Sequence, residues 1–305
     1  MKIIALFLLL LLTLTSHAMK TPDWINQEEF PFESHWLDTP DGKLHYIDEG
    51  QGPVIIFLHG TPEWSFSYRH LIKAMRGTHR CVAMDMLGFG LSDKPQDGKY
   101  SMQDHAARFE LLVNHLGLKD VTLYAGDFGG GIAIHYALSH PGNVRQMVFW
   151  NTWCRDLMAD KHFAKPAKLL HTGMGRFMYL RMNFSAGFVM PRAYADRKKL
   201  SKEIHRHYLT PLNTAANRIG TLSIGQELKN ASPWWQGMWE RLDSLQQVPK
   251  LFVWGTADKF IPTTELDQWK RRLPQSNFVE LADAGHWPHE EQPEKVFAAL
   301  SSFLK

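Results

Sequence analysis

The chain has 305 residues, 44% of them hydrophobic and 21% charged, with a formal net charge of +3. That apolar share supports a large core and excludes a disordered chain. Lys and Arg are scattered without a long basic block, so no nucleic-acid partner is expected.

In chain order, the first 18 residues read as a signal peptide. Lys2 gives a positive start, Ile3 to Leu12 is apolar, and Ser16-His17-Ala18 resembles a small-x-small cleavage site. The run is too short for a stable membrane span, so a mature chain starting near Met19, periplasmic or secreted, is expected. Strands are expected at 44–48, 54–58, 80–84, 121–125, 144–151, 250–254 and 278–281, mostly as continuous apolar runs. Helical patterns fall between them at 67–76, 103–115, 130–139, 265–272 and 293–304. This alternation predicts an α/β fold with a mostly parallel central sheet flanked by helices.

Residues 154–247 break the rhythm. They contain no good strand, a Met- and Phe-rich run at 173–191, and Trp234, Trp235 and Trp239. The segment reads as a helical cap inserted between two core parts, 19–153 and 248–305. Its aromatic and Met side chains either line an apolar pocket or pack the insertion's own core. Cys81 and Cys154, the only cysteines, read as two separate buried thiols. No HExxH or paired CxxC is present, and no nucleotide or flavin motif, so neither a metal nor another cofactor is expected.

The stretch VTLYAGDFGGGIAIHYAL at 121–138 places Asp127 on a glycine-dense corner between an apolar strand and an apolar helix. An Asp before such a helix is by itself an ordinary N-cap. Three other loops change that reading. In FLHGTPEWSFSYRHL the Thr61 N–H follows a buried strand, and with the Phe128 N–H it makes a pair of donors for an oxyanion. His59, in the same loop, reads as a structural residue. Asp258 lies in the loop after the strand of LFVWGTADKFIP. His286, in ELADAGHWPHEE, follows the last strand and is a better base than His289. The order Asp127, Asp258, His286 is nucleophile, acid, base, each at the C-terminal end of a parallel strand.

With these motifs the chain resembles the α/β-hydrolase family, and within it the haloalkane dehalogenases and related epoxide hydrolases. The resemblance runs from about Pro31 to the C-terminus, on HGTPEWSF, DMLGFGLSDKP, AGDFGG, GTADKF and DAGHWPHEEQP. It implies that Asp127 attacks a saturated carbon of a small apolar substrate to form an alkyl ester, and that His286, oriented by Asp258, activates the water that cleaves it. A carboxylate suits that step because it is already ionised and needs no base. Asn151 stands where some relatives carry the acid, which leaves that role to Asp258, with Asp156 in reserve. Two departures bear on the leaving group. Dehalogenases have Trp after the nucleophile, where this chain has Phe128, and many have an amide at the position of Thr61. Trp153, Trp234 or Trp235 are the available replacements for the missing indole donor. Epoxide hydrolases instead use cap tyrosines, here Tyr179, Tyr194 and Tyr208. The expected pocket comprises Trp153, Tyr179, Tyr208, Trp234 and Trp235. The alternatives to a dehalogenase are an epoxide hydrolase and a degenerate small-molecule binding protein.

Overall fold

The computed structural model describes residues 22–304, so the leader expected at 1–18 lies outside the described residues. Eight strands form one sheet: β1 (His35–Thr39), β2 (Gly42–Glu49), β3 (Val54–Leu58), β4 (Arg80–Met84), β5 (Val121–Gly126), β6 (Val144–Trp150), β7 (Lys250–Gly255) and β8 (Asn277–Leu281). Their spatial order is β1-β2-β4-β3-β5-β6-β7-β8. The β1–β2 and β2–β4 pairs are antiparallel, and every pairing from β4 to β8 is parallel. The expected strands are present to within two residues at either end. β1 is the addition. It is a short, half-exposed edge strand, HWLDT, with no clear apolar alternation to read.

The continuous apolar strands are buried on both faces. In β3, Ile55 and Phe57 point to one layer, while Ile56 and Leu58 point to the other. The first layer holds helix α1 (Arg69–Met75) and the C-terminal helix at Pro293–Phe303. The second holds α2 (Met102–His115), α3 (Asp127–Ser139) and the helix at Thr263–Arg272. Cys81 on β4 faces the first layer and Cys154 the second, so the two buried thiols sit on opposite sides of the sheet.

Between β6 and β7 the chain is helical: α4 (Lys161–Leu170), α5 (Gly173–Met182), a π-turn at Phe184–Val189, α6 (Met190–Ala193), α7 (Lys202–Leu209), α8 (Ile219–Asn230) and α9 (Ser232–Arg241). Asp160, Thr172 and Ser201 each accept a backbone N–H in the first turn of α4, α5 and α7. The end of the insertion packs on the core. The Trp235 ring rests on α3 at Gly131, where an added Cβ would meet it at 1.9 Å. A polar tie runs through Glu290: Arg69 of α1 binds it through two nitrogens, and the Tyr208 hydroxyl of α7 donates to the same carboxylate.

Candidate active site

The loops after β3, β5, β6, β7 and β8 meet at one end of the sheet. The corner after β5 is tight. Gly126 packs on Trp150 and Gly129 on the carbonyl of Leu58, both closer than any Cβ would allow. Asp127 itself has φ +48°, an unusual value for a residue other than glycine, and it begins α3 rather than preceding it. Its Oδ1 accepts the backbone N–H of Phe128 at 2.7 Å and of Thr61 at 3.1 Å. The positive end of α3 adds to that field. Its Oδ2 is 3.1 Å from His286 Nε2.

His286 Nδ1 is 2.7 Å from Asp258 Oδ2. The same oxygen accepts the Asn151 amide at 2.9 Å, and the Asn151 side-chain carbonyl accepts the Gly255 N–H at 2.9 Å. An amide after β6 thus holds the carboxylate after β7, where a second acid would repel it. Burial opposes a charged His286. The Asp258 charge and the hydrogen bonds to Asp127 and Asp258 outweigh it and push the imidazole up to about 10. Both contacts favour the protonated imidazole.

His59 serves the loop. Its Nε2 accepts the Met86 N–H at 2.9 Å, which leaves Nδ1 to donate to the Gly60 carbonyl at 2.6 Å. His289 is also off the reaction axis. It is buried and shares a 3.1 Å hydrogen bond with Glu63, and burial pushes it down to about 3 and Glu63 up to about 8. Glu63 was hidden in the sequence because a surface loop Glu has the same signature.

Asp127 and His286 floor a cavity of about 360 Å³ whose walls are mainly apolar. Of the expected pocket residues, Trp153 and Tyr179 line it, together with Thr61 and Phe128. Three do not. Tyr208 is turned away to Glu290. Trp235 is packed between α3 and Trp153, with its indole N–H on the Glu227 carbonyl at 3.3 Å. Trp234 packs on Trp235 and His135. Tyr194 lies against Trp287 instead of the cavity. Trp287, which no sequence motif marks as a pocket residue, lines the cavity beside His286. Trp153 stands edge-on to Phe128 at 5.0 Å, and the indole N–H groups of Trp153 and Trp287 and the Thr61 hydroxyl have no protein partner. Burial, then the Asp127 charge, pushes the Tyr179 hydroxyl up to about 12. Among the described residues no His, Cys, Asp and Glu cluster could hold a metal ion.

Residues 53–293 match the family model of the alpha/beta hydrolase fold, and the chain belongs to that family. It is 34% identical over 284 residues to haloalkane dehalogenase 2 of Mycobacterium tuberculosis, covering 92% of this chain and 96% of that one. It is 33% identical over 282 residues to the cis-3-alkyl-4-alkyloxetan-2-one decarboxylase of Shewanella oneidensis, covering 90% and 89%. A mutant of the haloalkane dehalogenase DatA from Agrobacterium tumefaciens superposes with a TM-score of 0.82 at 24% identity, over 92% of this chain and 99% of that one.

Proposed function

We propose that the protein is a haloalkane dehalogenase-like hydrolase working through an alkyl ester on Asp127. The carrying observation is the Asp127 carboxylate, with Oδ1 fixed by two backbone N–H groups and Oδ2 beside His286 at the floor of an apolar cavity. In the first step Oδ2 attacks the carbon, the ester C–O bond forms, and the halide leaves with the electrons of its bond. In the second, His286 takes a proton from water as the oxygen attacks the Asp127 carboxyl carbon. The oxyanion rests on the N–H groups of Thr61 and Phe128. Collapse returns that proton to the departing alcohol and leaves Asp127 as the carboxylic acid, whose remaining proton is released to regenerate the carboxylate. The net reaction consumes water and yields alcohol, halide and a proton.

Alkylation prepares the base for its task. Ester formation removes the Asp127 charge and its hydrogen bond, two of the contributions that hold His286 protonated. The imidazole therefore becomes easier to deprotonate when a neutral base is needed. The indole N–H of Trp153, on a ring lining the cavity and without a protein partner, supports it as the halide donor that Phe128 cannot be. Trp287 supports it from the His286 side.

A second reading has its own observation. Tyr179 lines the cavity and feels the Asp127 charge, so its hydroxyl would suit the leaving oxygen of a strained ring, as in epoxide opening. The test is a panel of bromoalkanes, styrene-type epoxides and a 3,4-dialkyloxetan-2-one, scored for halide, diol and carbon dioxide. His286→Phe runs alongside under intact mass measurement. Halide release, with one alkyl group accumulating on Asp127 in the variant, supports the proposal. Diol or carbon dioxide without halide moves the function to ring opening. No product and no adduct leaves a binding protein. The leader at 1–18 supports export, and sequencing the amino terminus of purified protein tests that: a start near Met19 agrees, and an intact Met1 overturns it.

A further inference from the structure

Of the six large hydrophobic side chains exposed among the described residues, five fall in one short part of the cap: Leu169, Met174, Phe177, Met182 and Phe188. Only Leu111 lies elsewhere. Met174 and Phe177 are three apart on α5, hence on one face of that helix, while Gly175, Met178 and Tyr179 of the same helix line the cavity. Single exposed apolar residues need no explanation, but five on mutually packed elements of one segment point to an interaction surface.

The same stretch of chain is basic. Residues 161–202 contain ten Lys and Arg and one acidic residue, Asp196, in a chain whose formal net charge is only +3. The remainder of the molecule is therefore net acidic. Among the described residues no acidic side chain pairs with Lys165, Lys168, Arg176 or Arg181. Arg176 and Arg181 border a surface hollow of about 410 Å³ whose other walls include Phe177 and Leu180. Two cations beside the apolar side chains of Phe177 and Leu180, on a hollow of mixed polar and apolar surface, suit a phosphate joined to a hydrocarbon chain. Pro166 and Leu169 of α4 are both exposed and line the cavity, and α4 packs against α5.

We propose that this face of the cap docks on an anionic lipid bilayer, with Met174, Phe177 and Met182 among the acyl chains and Arg176 and Arg181 on lipid phosphates. Interleaved cations and large apolar side chains are the composition that binds membrane surfaces without crossing them. The described residues include no helix long and apolar enough to span. Docked this way, the cavity-lining helices α4 and α5 lie against the phase in which an apolar substrate dissolves. The inference does not depend on which reaction the cavity performs.

The test is vesicle co-sedimentation of the chain from Met19 onward, which contains every described residue. Vesicles of phosphatidylcholine alone are compared with vesicles containing about one third phosphatidylglycerol, at low and high salt. Binding is expected to the anionic vesicles only, and to weaken with salt. Arg176→Glu/Arg181→Glu should reduce it by about tenfold or more. Phe177→Ser/Met174→Ser should also reduce it severalfold, while Leu111→Ser and Lys119→Glu leave it unchanged. Because these positions are exposed, circular dichroism should find all variants folded. Absence of binding overturns the proposal. So does binding that responds to the arginines but not to Phe177 and Met174, which is mere adsorption. Sedimentation velocity supplies a further arm: a dimer that Phe177→Ser dissociates assigns the face to a second copy and overturns the bilayer.

Discussion

In the proposed reaction the halide donor, seconded by Trp287, is Trp153. It is the aromatic neighbour of Phe128 on the cavity wall, and its indole nitrogen has no other partner. Trp153→Phe keeps the ring and deletes the donor. It should lower halide release by roughly ten- to a hundredfold, the worth of one hydrogen bond to a developing charge. Bromide quenching of tryptophan fluorescence should weaken in the same variant. Trp235→Phe, whose N–H serves Glu227, should alter neither reading. A second residue-scale prediction concerns the acid. Asp258→Asn should lower turnover by about 10²–10⁴ because His286 loses its orienting charge. Asn151 already touches the oxygen that His286 binds. Adding Asn151→Asp to that variant should therefore recover about tenfold, measured as single-turnover ester hydrolysis.

At the scale of elements, the cap is held to the core by a few specific joints. The Tyr208 hydroxyl brings α7 to Glu290, which Arg69 of α1 also binds. Tyr208→Phe removes the donor and leaves a buried carboxylate less well solvated. The expected cost is about 1.5–3 kcal/mol in chemical denaturation, with turnover per folded molecule nearly unchanged. The contrast with Trp153 separates a structural aromatic residue from a chemical one. The corner between β5 and α3 is the other decisive joint. Its glycines let the backbones of β3, β5 and β6 come together so that donors from two strands reach one carboxylate oxygen.

For the molecule as a whole, the buried titrating groups set the pH of greatest stability. His286 binds its proton more tightly folded than unfolded, so its contribution is full below about 6.5 and is lost as pH rises toward about 10. Burial holds Glu63 protonated to about 8, so its contribution falls as pH rises from 4.5 toward that value. The buried neutral imidazoles His105 and His289, each at about 3, act oppositely, and their gain is complete by about 6.5. Burial lowers Lys94 and Lys250 to about 8, and they recover stability only above that pH. The melting temperature should therefore peak near pH 6.5 and fall toward pH 8. Glu63→Gln should flatten that fall when the two proteins are melted side by side in calorimetry.

The sequence by itself determined seven of the eight strands and the order of Asp127, Asp258 and His286. Those features are local: a buried parallel strand is a continuous apolar run, and a tight corner needs its glycines wherever it is found. It also located the Thr61 and Phe128 donors, because each follows directly from a strand end. Only the tertiary structure decided which aromatic residues face the cavity. Tyr179 and Tyr208, or Trp153 and Trp235, are alike in composition and differ only in how their segments are turned, which distant packing sets. The same holds for Asn151, whose amide matters through a partner 107 residues away. It holds too for the exposure of Leu169, Met174, Phe177, Met182 and Phe188, which depends on how α4, α5 and the π-turn pack on each other.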